Sequence, residues 1–478
     1  MENILFRPVP PEHGLMSGTE AQILAICKAV LESPGLTRAQ LMDKMGVGHS
    51  HDEALVRQFQ RRLSLALEWG WLKREGGDRY ARYCPTPPFQ HAMAMRHIGL
   101  PIDRRPKVNY DFELLCSYEP NKTFYLDARS REHLHKSSKI VSFDRSDPTQ
   151  AQTLRRFMMD LSHHNALLEG VRVQYVDTIQ LLEDNIRSQN LSETDAVILR
   201  NLYNAARFLV DLTAPNDQGH KVWSRVTANS LCQIHALVSD GLLHDRRQQG
   251  RLRQHKVEIA YSQYVPPFVP DQIESAFQVM VQKAAAIQDP FEQACFLTIH
   301  IPYLQPFSDC NKRVSRVACN IPLLSHGVLP VSWRDVTPRD YHDALLCVYE
   351  CRSTYGMAQI FTQAYIHSAQ RFEEEMRQRQ PNRLEVIYAR EIAQTIRRRV
   401  LDMDEDYKPQ VPPEHWPYLQ GYIESVLRDA LENEMVLVPY QISYGAWLDW
   451  REACRQRDAA AAQDQQELNS GIERCVVT

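Results

Sequence analysis

The side chains of this sequence best suited to chemistry lie between residues 305 and 316. This stretch reads Gln-Pro-Phe-Ser-Asp-Cys-Asn-Lys-Arg-Val-Ser-Arg. An apolar helical run over 291–299 precedes it and is interrupted by Pro302 and Pro306, and a new amphipathic run begins at Arg313. The pattern predicts a polar loop that opens directly into the N-terminus of a helix.

A loop of this kind is suited to binding phosphate. The first turn of a helix presents free backbone N–H groups, which form an anion site. Arg313 and Arg316 are three residues apart and can face the same anion. Asp309 beside them is a natural Mg²⁺ ligand. The alternative is an ordinary core helix capped by Asn311 or Asp309, with two surface arginines.

The stretch resembles the signature loop of the Fic/Doc (Fido) family. That motif runs His-Pro-Phe-x-(Asp/Glu)-Gly-Asn-Gly-Arg-x-x-Arg, and six of its residues recur here with the same spacing. The matching residues are Pro306, Phe307, Asp309, Asn311, Arg313 and Arg316.

Two flanking segments extend the resemblance over residues 105–375. Family members carry a β-hairpin flap that docks the target peptide, and the alternating segment Val257–Tyr264, which includes Glu258 and Ile259, lies in the corresponding place. They often also carry an inhibitory helix, (Ser/Thr)-x-x-x-Glu-(Gly/Asn). Asn165, Glu169 and Gly170 match that pattern, with Asn165 in place of Ser or Thr.

The resemblance implies transfer of AMP from ATP to a hydroxyl of a target protein. It makes Phe307 the anchor of the loop and Asp309 the Mg²⁺ ligand. It assigns the nucleotide phosphates to Asn311 and Arg313.

Two further positions complete these implied roles. Lys312 lies in the same phosphate-binding stretch. Arg316 would pair with the inhibitory Glu169, which prevents productive placement of the γ-phosphate.

The departures from the motif concern the chemistry itself. Gln305 occupies the position of the motif His, and a carboxamide does not accept a proton near neutral pH, so it cannot act as a general base. Cys310 and Lys312 replace the two motif glycines. The Asn-Lys-Arg variant resembles Doc, which phosphorylates its target using an inverted nucleotide but keeps the His.

Three histidines are candidates for a replacement base. His300 lies on the apolar helix before the loop, where a core histidine is the favoured interpretation. His163 and His164 lie beside the inhibitory segment and would approach the site if that helix covers it.

The composition excludes several classes of protein. The 478 residues are 44% hydrophobic and 24% charged, which is typical of a globular chain of several domains. There is no apolar run long enough for a membrane helix and no secretory leader pattern, so a cytoplasmic location without membrane contact is expected. The 11 scattered cysteines favour reduced thiols over zinc or disulfides, and the net charge of −4 confines any nucleic-acid contact to a local surface.

The apolar spacing predicts a mainly α protein of four parts. Residues 1–90 resemble a winged helix-turn-helix, with three helices followed by a hairpin. Residues 91–150 are predicted to be an irregular linker, 151–375 a Fic-like helical bundle with a small β-hairpin flap, and 376–478 a helical C-terminal extension.

Three functions follow from these patterns. The first is an enzyme that moves AMP, another nucleotide fragment or phosphate onto a protein hydroxyl, with ATP and Mg²⁺ as cofactors. The second is an inactive nucleotide-sensing regulator that contacts DNA or a partner protein through residues 20–85. The third is a helical scaffold, which the arginine pair argues against. The target protein and the formation of a homo-oligomer stay open.

Overall fold

The computed structural model describes residues 7–10, 17–48, 52–77, 80–138, 148–213, 226–378 and 383–457 of the chain. Across these ranges the protein is mainly α-helical, with two small sheets. Every helix in the same ranges is too short or too polar to span a bilayer.

The N-terminal unit combines three helices with a three-stranded antiparallel sheet. Its elements are α1 (Gly18–Glu32), β1 (Leu36–Thr37), α2 (Arg38–Lys44), α3 (Glu53–Glu68), β2 (Leu72–Glu75) and β3 (Arg82–Pro85). The strand order is β1-β3-β2, and Leu72 lies opposite Pro85. Thr37 caps α2 through a capping box with Gln40. The label winged helix stays a prediction for this unit.

Helix α4 (Pro87–Ile98) joins the N-terminal unit to the central one. Phe89 is buried in the N-terminal core and stacks on Trp71, whereas Ile98 packs against the central core. At Gly356, where α4 meets the central unit, an added Cβ would lie 2.4 Å from the His91 ring. The predicted boundary between residues 90 and 91 therefore falls inside a helix that contributes to both cores.

The central unit is a bundle built around one buried helix. Its elements are β4 (Val108–Asn109), α5 (Phe112–Cys116), α6 (Ala128–Ser137), α7 (Pro148–Leu168), α8 (Tyr175–Glu183), α9 (Glu193–Thr213), α10 (Ala228–Val238), β5 (Tyr264–Val265), α11 (Pro270–Ala286), α12 (Pro290–Leu304), α13 (Asn311–Ala318), α14 (Asn320–Ser325), α15 (Pro338–Cys351) and α16 (Tyr355–Gln378). All residues of α12 are buried, as expected for a helix that is apolar all round. The helices packed against α12 include α11, α13, α14 and α15, so α12 fixes where the following loop lies.

The segment predicted as an irregular linker, 91–150, belongs largely to this bundle. The carboxylate of Glu292 on α12 is fully buried and accepts hydrogen bonds from the Tyr118 hydroxyl (3.0 Å) and from the backbone N–H groups of Tyr125 (2.7 Å) and Leu126 (3.0 Å). A buried carboxylate is tolerated only when it is bonded in this way. Hydrogen bonds to one buried acid therefore hold this part of the predicted linker against α12. Residues 139–147 lie outside the described ranges.

The β-hairpin predicted for Val257–Tyr264 is not formed. The segment enters a ladder only at β5, which pairs in parallel with β4, so that Val108 lies opposite Tyr264. Val257 and Ile259 are half-buried and Glu258 is exposed, so the predicted alternation of burial is present without the strand pairing. Side-chain hydrogen bonds hold the segment instead, as described for Glu350 below.

The C-terminal extension has a core of its own. Its helices are α17 (Arg383–Ile387), α18 (Ala389–Leu401), α19 (Trp416–Glu432) and α20 (444–457). Trp447 and Trp450 are buried in that core. Val438 packs with Met159 and Ile179, so the extension lies against α7 and α8.

Candidate functional site

The predicted loop connects α12 to α13. Hydrogen bonds of the Asn311 side chain hold its conformation. Asn311 accepts a hydrogen bond from the Phe307 backbone N–H at Oδ1 (3.0 Å), and its Nδ2 donates to the Phe307 carbonyl (2.9 Å) and to Gln305 Oε1 (2.8 Å). The carboxamide of Asn311 is therefore occupied within the loop. The phosphate contact predicted for it would require some of these bonds to open.

Phe307 anchors the loop in the core. Its side chain is fully buried and its ring stacks on the imidazole of His235, with centroids 4.1 Å apart and planes at 7°. Phe277 closes the other side at 6.0 Å. Burying a phenyl ring stabilises a fold by about 1.5–3 kcal/mol relative to leaving it exposed, which fixes the position of the loop.

Two residues of the loop adopt left-handed backbone conformations. Gln305 ends α12 with a φ of 53°, and Cys310 precedes α13 with a φ of 61°. A side chain in this region costs about 1–2 kcal/mol relative to glycine. Cys310 occupies the place of a motif glycine, so the conformation explains why glycine suits that position.

Arg253 fastens the loop from outside the motif. Its guanidinium donates to the carbonyls of Gln305 (2.6 Å), His255 (2.8 Å) and Pro267, and its backbone N–H donates to Pro306 (3.0 Å). Only 2% of the residue is exposed, and burial lowers the pKa of Arg253 to about 10. This arginine therefore ties the motif loop to the segment that precedes α11.

The Glu169 carboxylate forms ion pairs with both arginines of the motif. Arg316 donates from Nη2 to Glu169 Oε1 and from Nε to Asn165 Oδ1 (2.6 Å), while Arg313 Nε lies 3.3 Å from Glu169 Oε2. The structure thus brings the predicted inhibitory glutamate and the predicted phosphate-binding arginines into one buried cluster. Asn165, at the Ser/Thr position of the inhibitory pattern, supplies an acceptor of its own.

Gly170 explains how Glu169 reaches that position. Helix α7 ends at Leu168, and Gly170 has a φ of 88°. Its N–H bonds the Leu167 carbonyl and the Val171 N–H bonds the Ala166 carbonyl, which is the pattern of a Schellman ending. The helix therefore stops just before Glu169 and leaves that side chain facing α13.

The charge state of Glu169 is set by its neighbours. Burial by itself would raise the pKa of this carboxyl group, but the cations of Arg316, Arg313 and Lys312 outweigh burial and lower the pKa to about 2. The carboxylate is consequently ionised, and the ion pairs are intact, at every physiological pH.

This depressed pKa predicts an acid-dependent loss of stability. Because folding lowers the pKa of Glu169 from 4.5 to about 2, its contribution is complete above pH 4.5 and is lost as the pH falls toward 2. The contribution is about 3 kcal/mol at most. Urea unfolding of wild type and Glu169→Gln should show a stability difference that is constant from pH 8 to 5 and shrinks below pH 4.5. A difference that changes between pH 8 and 6 would contradict the assignment.

Several polar groups around the loop have no protein partner. Arg316 Nη1 and the Ser308 hydroxyl are buried, and neither has a hydrogen-bond partner among the described residues. The cap residue of α13, Cys310, supplies no side-chain hydrogen bond to the first N–H groups of that helix. Unpartnered buried donors are costly unless a ligand engages them, so this cluster is suited to an anion.

Asp309 and Lys312 lie on the accessible side of the loop. The Asp309 side chain is exposed, and its Oδ1 accepts a hydrogen bond from the Cys310 N–H (2.6 Å). Lys312 is half-buried in the first turn of α13. Both side chains can reach a ligand without rearrangement of the core.

Burial lowers the pKa of all three candidate replacement bases, and two of them are hydrogen-bonded elsewhere. His300 is 1% exposed and bonds the Tyr125 hydroxyl through Nε2 (2.6 Å), and burial lowers its pKa to about 3. His163 bonds the Thr178 hydroxyl (2.9 Å), and burial lowers its pKa to about 4. Burial likewise lowers the pKa of His164 to about 3. His300 is therefore the core histidine that its apolar helix predicts.

Glu350 anchors the flap segment. Its fully buried carboxylate accepts hydrogen bonds from the guanidinium of Arg105 (2.9 Å), the Ser262 hydroxyl (2.8 Å) and the Gln263 N–H (3.0 Å), and it lies 2.9 Å from His97 Nε2. These bonds join the flap segment, α15 and α4 at one buried charge. They explain how the flap segment before β5 is held without the pairing of a hairpin.

Removal of this anchor should destabilise the protein. Glu350→Ala leaves Arg105 as an uncompensated buried charge, which typically costs about 3–5 kcal/mol. We expect a lower urea midpoint and faster native-state trypsin cleavage after Lys256. The matched control is Glu274→Ala, because that glutamate is exposed on α11, away from the cleavage site. Equal urea midpoints and equal cleavage rates for the two variants would contradict this role.

Sequence reasoning missed Arg253, Glu350 and His235. Each is buried and polar, and no local spacing marks it: Arg253 follows several other arginines, and Glu350 lies within an ordinary amphipathic helix. Each has a partner far away along the chain: Gly250 is 15 residues from His235, Gln305 is 52 residues from Arg253, and Arg105 is 245 residues from Glu350. Only the tertiary fold reveals them.

The Fic/DOC family model matches residues 225–323, which include the flap segment, α12, the loop and α13. The chain therefore carries a Fic/DOC domain.

Relatives of known name share low identity with the chain. It is 22% identical over 320 residues to a protein named protein adenylyltransferase Fic from Nematostella vectensis, covering 66% of this chain and 70% of that protein. It is 23% identical over 199 residues to protein adenylyltransferase fic-1 from Caenorhabditis briggsae, covering 40% of this chain and 38% of that protein.

Two solved structures resemble the fold. A Fic family protein from Desulfovibrio desulfuricans G20 aligns with a TM-score of 0.43 and 16% identity, over 59% of this chain and 82% of that one. A fragment of Fic-1 from C. elegans aligns with a TM-score of 0.39 and 16% identity, over 76% of this chain and 94% of that one.

Proposed function

We propose that the loop at 305–316 binds the phosphates of ATP, that Glu169 inhibits this binding, and that the site transfers AMP to a target protein. The observation that carries the proposal is the cluster in which Glu169 neutralises Arg313 and Arg316. A buried carboxylate occupies the place that a phosphate would take, so the two compete for the same donors. The relatives named protein adenylyltransferases support AMP as the transferred group.

Asp309 would hold Mg²⁺ on the bound phosphates. Nowhere in the described ranges do three or more His, Cys, Asp or Glu side chains gather to hold a metal ion. Mg²⁺ in nucleotide sites is held by one or two carboxylates together with phosphates and water, and the exposed Asp309 fits that arrangement. The ion would neutralise charge that develops on the leaving phosphates.

The transferred group can be identified from the products of ATP turnover. Glu169→Gly, incubated with ATP and Mg²⁺, should release pyrophosphate as AMP passes to an acceptor group on the protein itself, because this transfer breaks the bond between the α-phosphorus and the oxygen that bridges it to the β-phosphorus. Release of ADP without pyrophosphate would instead indicate phosphoryl transfer, as the Asn-Lys-Arg likeness to Doc suggests. Glu169→Gln serves as a control that keeps the side chain and removes the charge.

A nucleotide-sensing regulator is the second candidate function. Gln305 favours it, because its carboxamide is bonded to Asn311 and Pro302 and cannot take a proton. In that case ATP binding would be read out by a partner protein or DNA through residues 20–85, whose α4 connection reaches Glu350 and the flap segment. ATP binding without any turnover in Glu169→Gly would favour this function.

A further inference from the structure

The orientation of the Gln305 carboxamide is fixed by backbone groups. The Phe307 N–H can only donate, so the Asn311 atom that it meets must be the oxygen Oδ1 (3.0 Å). The Nδ2 group of Asn311 is then the donor that faces Gln305, and the Gln305 atom at 2.8 Å must be Oε1.

The amide nitrogen of the Gln305 side chain gives the same orientation of the carboxamide independently. Nε2 donates to the Pro302 carbonyl (2.8 Å), which can only accept. Its remaining hydrogen faces the Tyr349 hydroxyl at 3.5 Å. Burial raises the pKa of Tyr349, so that phenol stays protonated. The position of the motif His therefore presents hydrogen-bond donors and no proton acceptor.

His235, which packs beneath the loop, does not supply a base either. Its Nδ1 accepts a hydrogen bond from the Gly250 N–H (3.0 Å), so the proton of the neutral ring lies on Nε2. Burial lowers the pKa of His235 to about 4, and its ring is stacked on Phe307. This histidine supports the loop and is not free to take a proton.

Cations surround the same position. Arg253 bonds the Gln305 carbonyl, and Lys312, Arg313 and Arg316 lie on the following helix. The opposing carboxylates are Asp309 and the inhibitory Glu169. Once Glu169 leaves the arginines, positive charge predominates. The ATP phosphates would neutralise Arg313 and Arg316, while Lys312 and Arg253 would keep positive charge beside an anionic acceptor.

We propose, building on the proposed AMP transfer, that the acceptor in this site is an oxygen that is already ionised at neutral pH, a carboxylate or a phosphate. Its oxygen attacks the α-phosphorus of ATP, the bond from that phosphorus to the bridging oxygen breaks, and pyrophosphate leaves with the electron pair. No proton has to be removed. A neutral hydroxyl acceptor would have to lose a proton to a base, and Gln305 cannot take it.

The test compares ionised and neutral acceptors with the Glu169→Gly variant, ATP and Mg²⁺. The probes are acetate, inorganic ³²P-phosphate and a peptide that contains Ser, Thr and Tyr without acidic side chains and with a blocked C-terminus. Acetyl adenylate is trapped with hydroxylamine, and transfer to phosphate appears as labelled ADP. We expect pyrophosphate release to rise at least about tenfold with acetate or phosphate and not with the peptide. The acetate rate should be flat from pH 6 to 9, since the nucleophile is ionised throughout.

Two results would overturn this proposal. One is peptide modification as fast as transfer to the ionised probes while Gln305 is present. The other is failure of both anions to support turnover. If the variant binds ATP and modifies the peptide as fast, AMP transfer stands and only the acceptor class is wrong. If the variant binds ATP and none of the three probes supports turnover, the nucleotide site stands and the result favours the nucleotide-sensing regulator. If it does not bind ATP, the proposed function itself fails.

Discussion

The double variant Gln305→His, Glu169→Gly should transfer AMP to the hydroxyls of a Ser/Thr/Tyr peptide about 10²–10⁴-fold faster than Glu169→Gly alone. The Pro302 carbonyl, which now accepts from Gln305 Nε2 at 2.8 Å, can accept from the Nδ1–H of an imidazole. That bond would leave Nε2 unprotonated and able to take the proton of the acceptor hydroxyl.

The matched control for this gain is Gln305→Asn in the same background, which keeps a carboxamide and gains no base. The His variant should also show a rate that rises with pH through an inflection near the ordinary pKa of histidine, about 6.5. Incorporation of labelled AMP into the peptide measures both quantities. A His variant no faster than the Asn variant would mean that the loop cannot place a base.

Substitution of the two motif arginines, one at a time, should separate their effect on the free energy of unfolding from their effect on ATP affinity. Arg316 is fully buried, bonds Asn165 and Glu169, and lies over the Tyr341 ring at 4.9 Å. Arg316→Ala leaves the Glu169 carboxylate buried without its main partner, and we expect a loss of about 3–5 kcal/mol in the free energy of unfolding. Arg313 makes only a 3.4 Å contact with the Val238 carbonyl and the ion pair with Glu169, so Arg313→Ala should cost about 1 kcal/mol.

Both arginine variants should lose ATP binding. Urea unfolding gives the stability of each, and a double-mutant cycle with Glu169→Ala isolates the ion pair. Because the second substitution removes the stranded carboxylate, Arg316→Ala, Glu169→Ala should recover part of the stability and none of the ATP affinity. Unchanged ATP affinity in Arg313→Ala would refute the phosphate-binding assignment.

The sequence was most informative where the chemistry depends on local spacing. Arg313 and Arg316 are three residues apart and share a helix, so the sequence predicts that they converge on one anion. Glu169 was linked to Arg316 only through the family resemblance, and the structure places the two in contact. Phe307 is buried in the core, where the anchor role would place it.

Predictions failed where distant side chains decide the local structure. The alternating pattern of Val257, Glu258 and Ile259 predicts a strand, but these residues form none. The bonds of Glu350 and Arg105 instead hold the adjoining residues 261–263. Residues 91–150 look irregular, yet the buried Glu292 fixes part of them on α12. Such partners are far apart along the chain, so periodicity does not reveal them.

The type of a residue alone does not show which groups its side chain bonds or which backbone conformation it adopts. Asn311 has the identity expected of a phosphate ligand, whereas in the structure its carboxamide holds the loop. Cys310 shows no anomaly in the sequence beyond its replacement of a glycine, and its strain is visible only in its φ of 61°.

Calorimetric titration of wild type and Glu169→Gly with ATP in the presence of Mg²⁺ tests the central claim most directly. Competition between the Glu169 carboxylate and phosphate for Arg313 and Arg316 predicts binding that is roughly tenfold to hundredfold tighter in the variant, since each factor of ten corresponds to about 1.4 kcal/mol. Glu169→Gln should show the same direction of change. Equal affinities in wild type and both variants would contradict inhibition by Glu169, and no binding in any of the three would contradict a nucleotide site at residues 305–316.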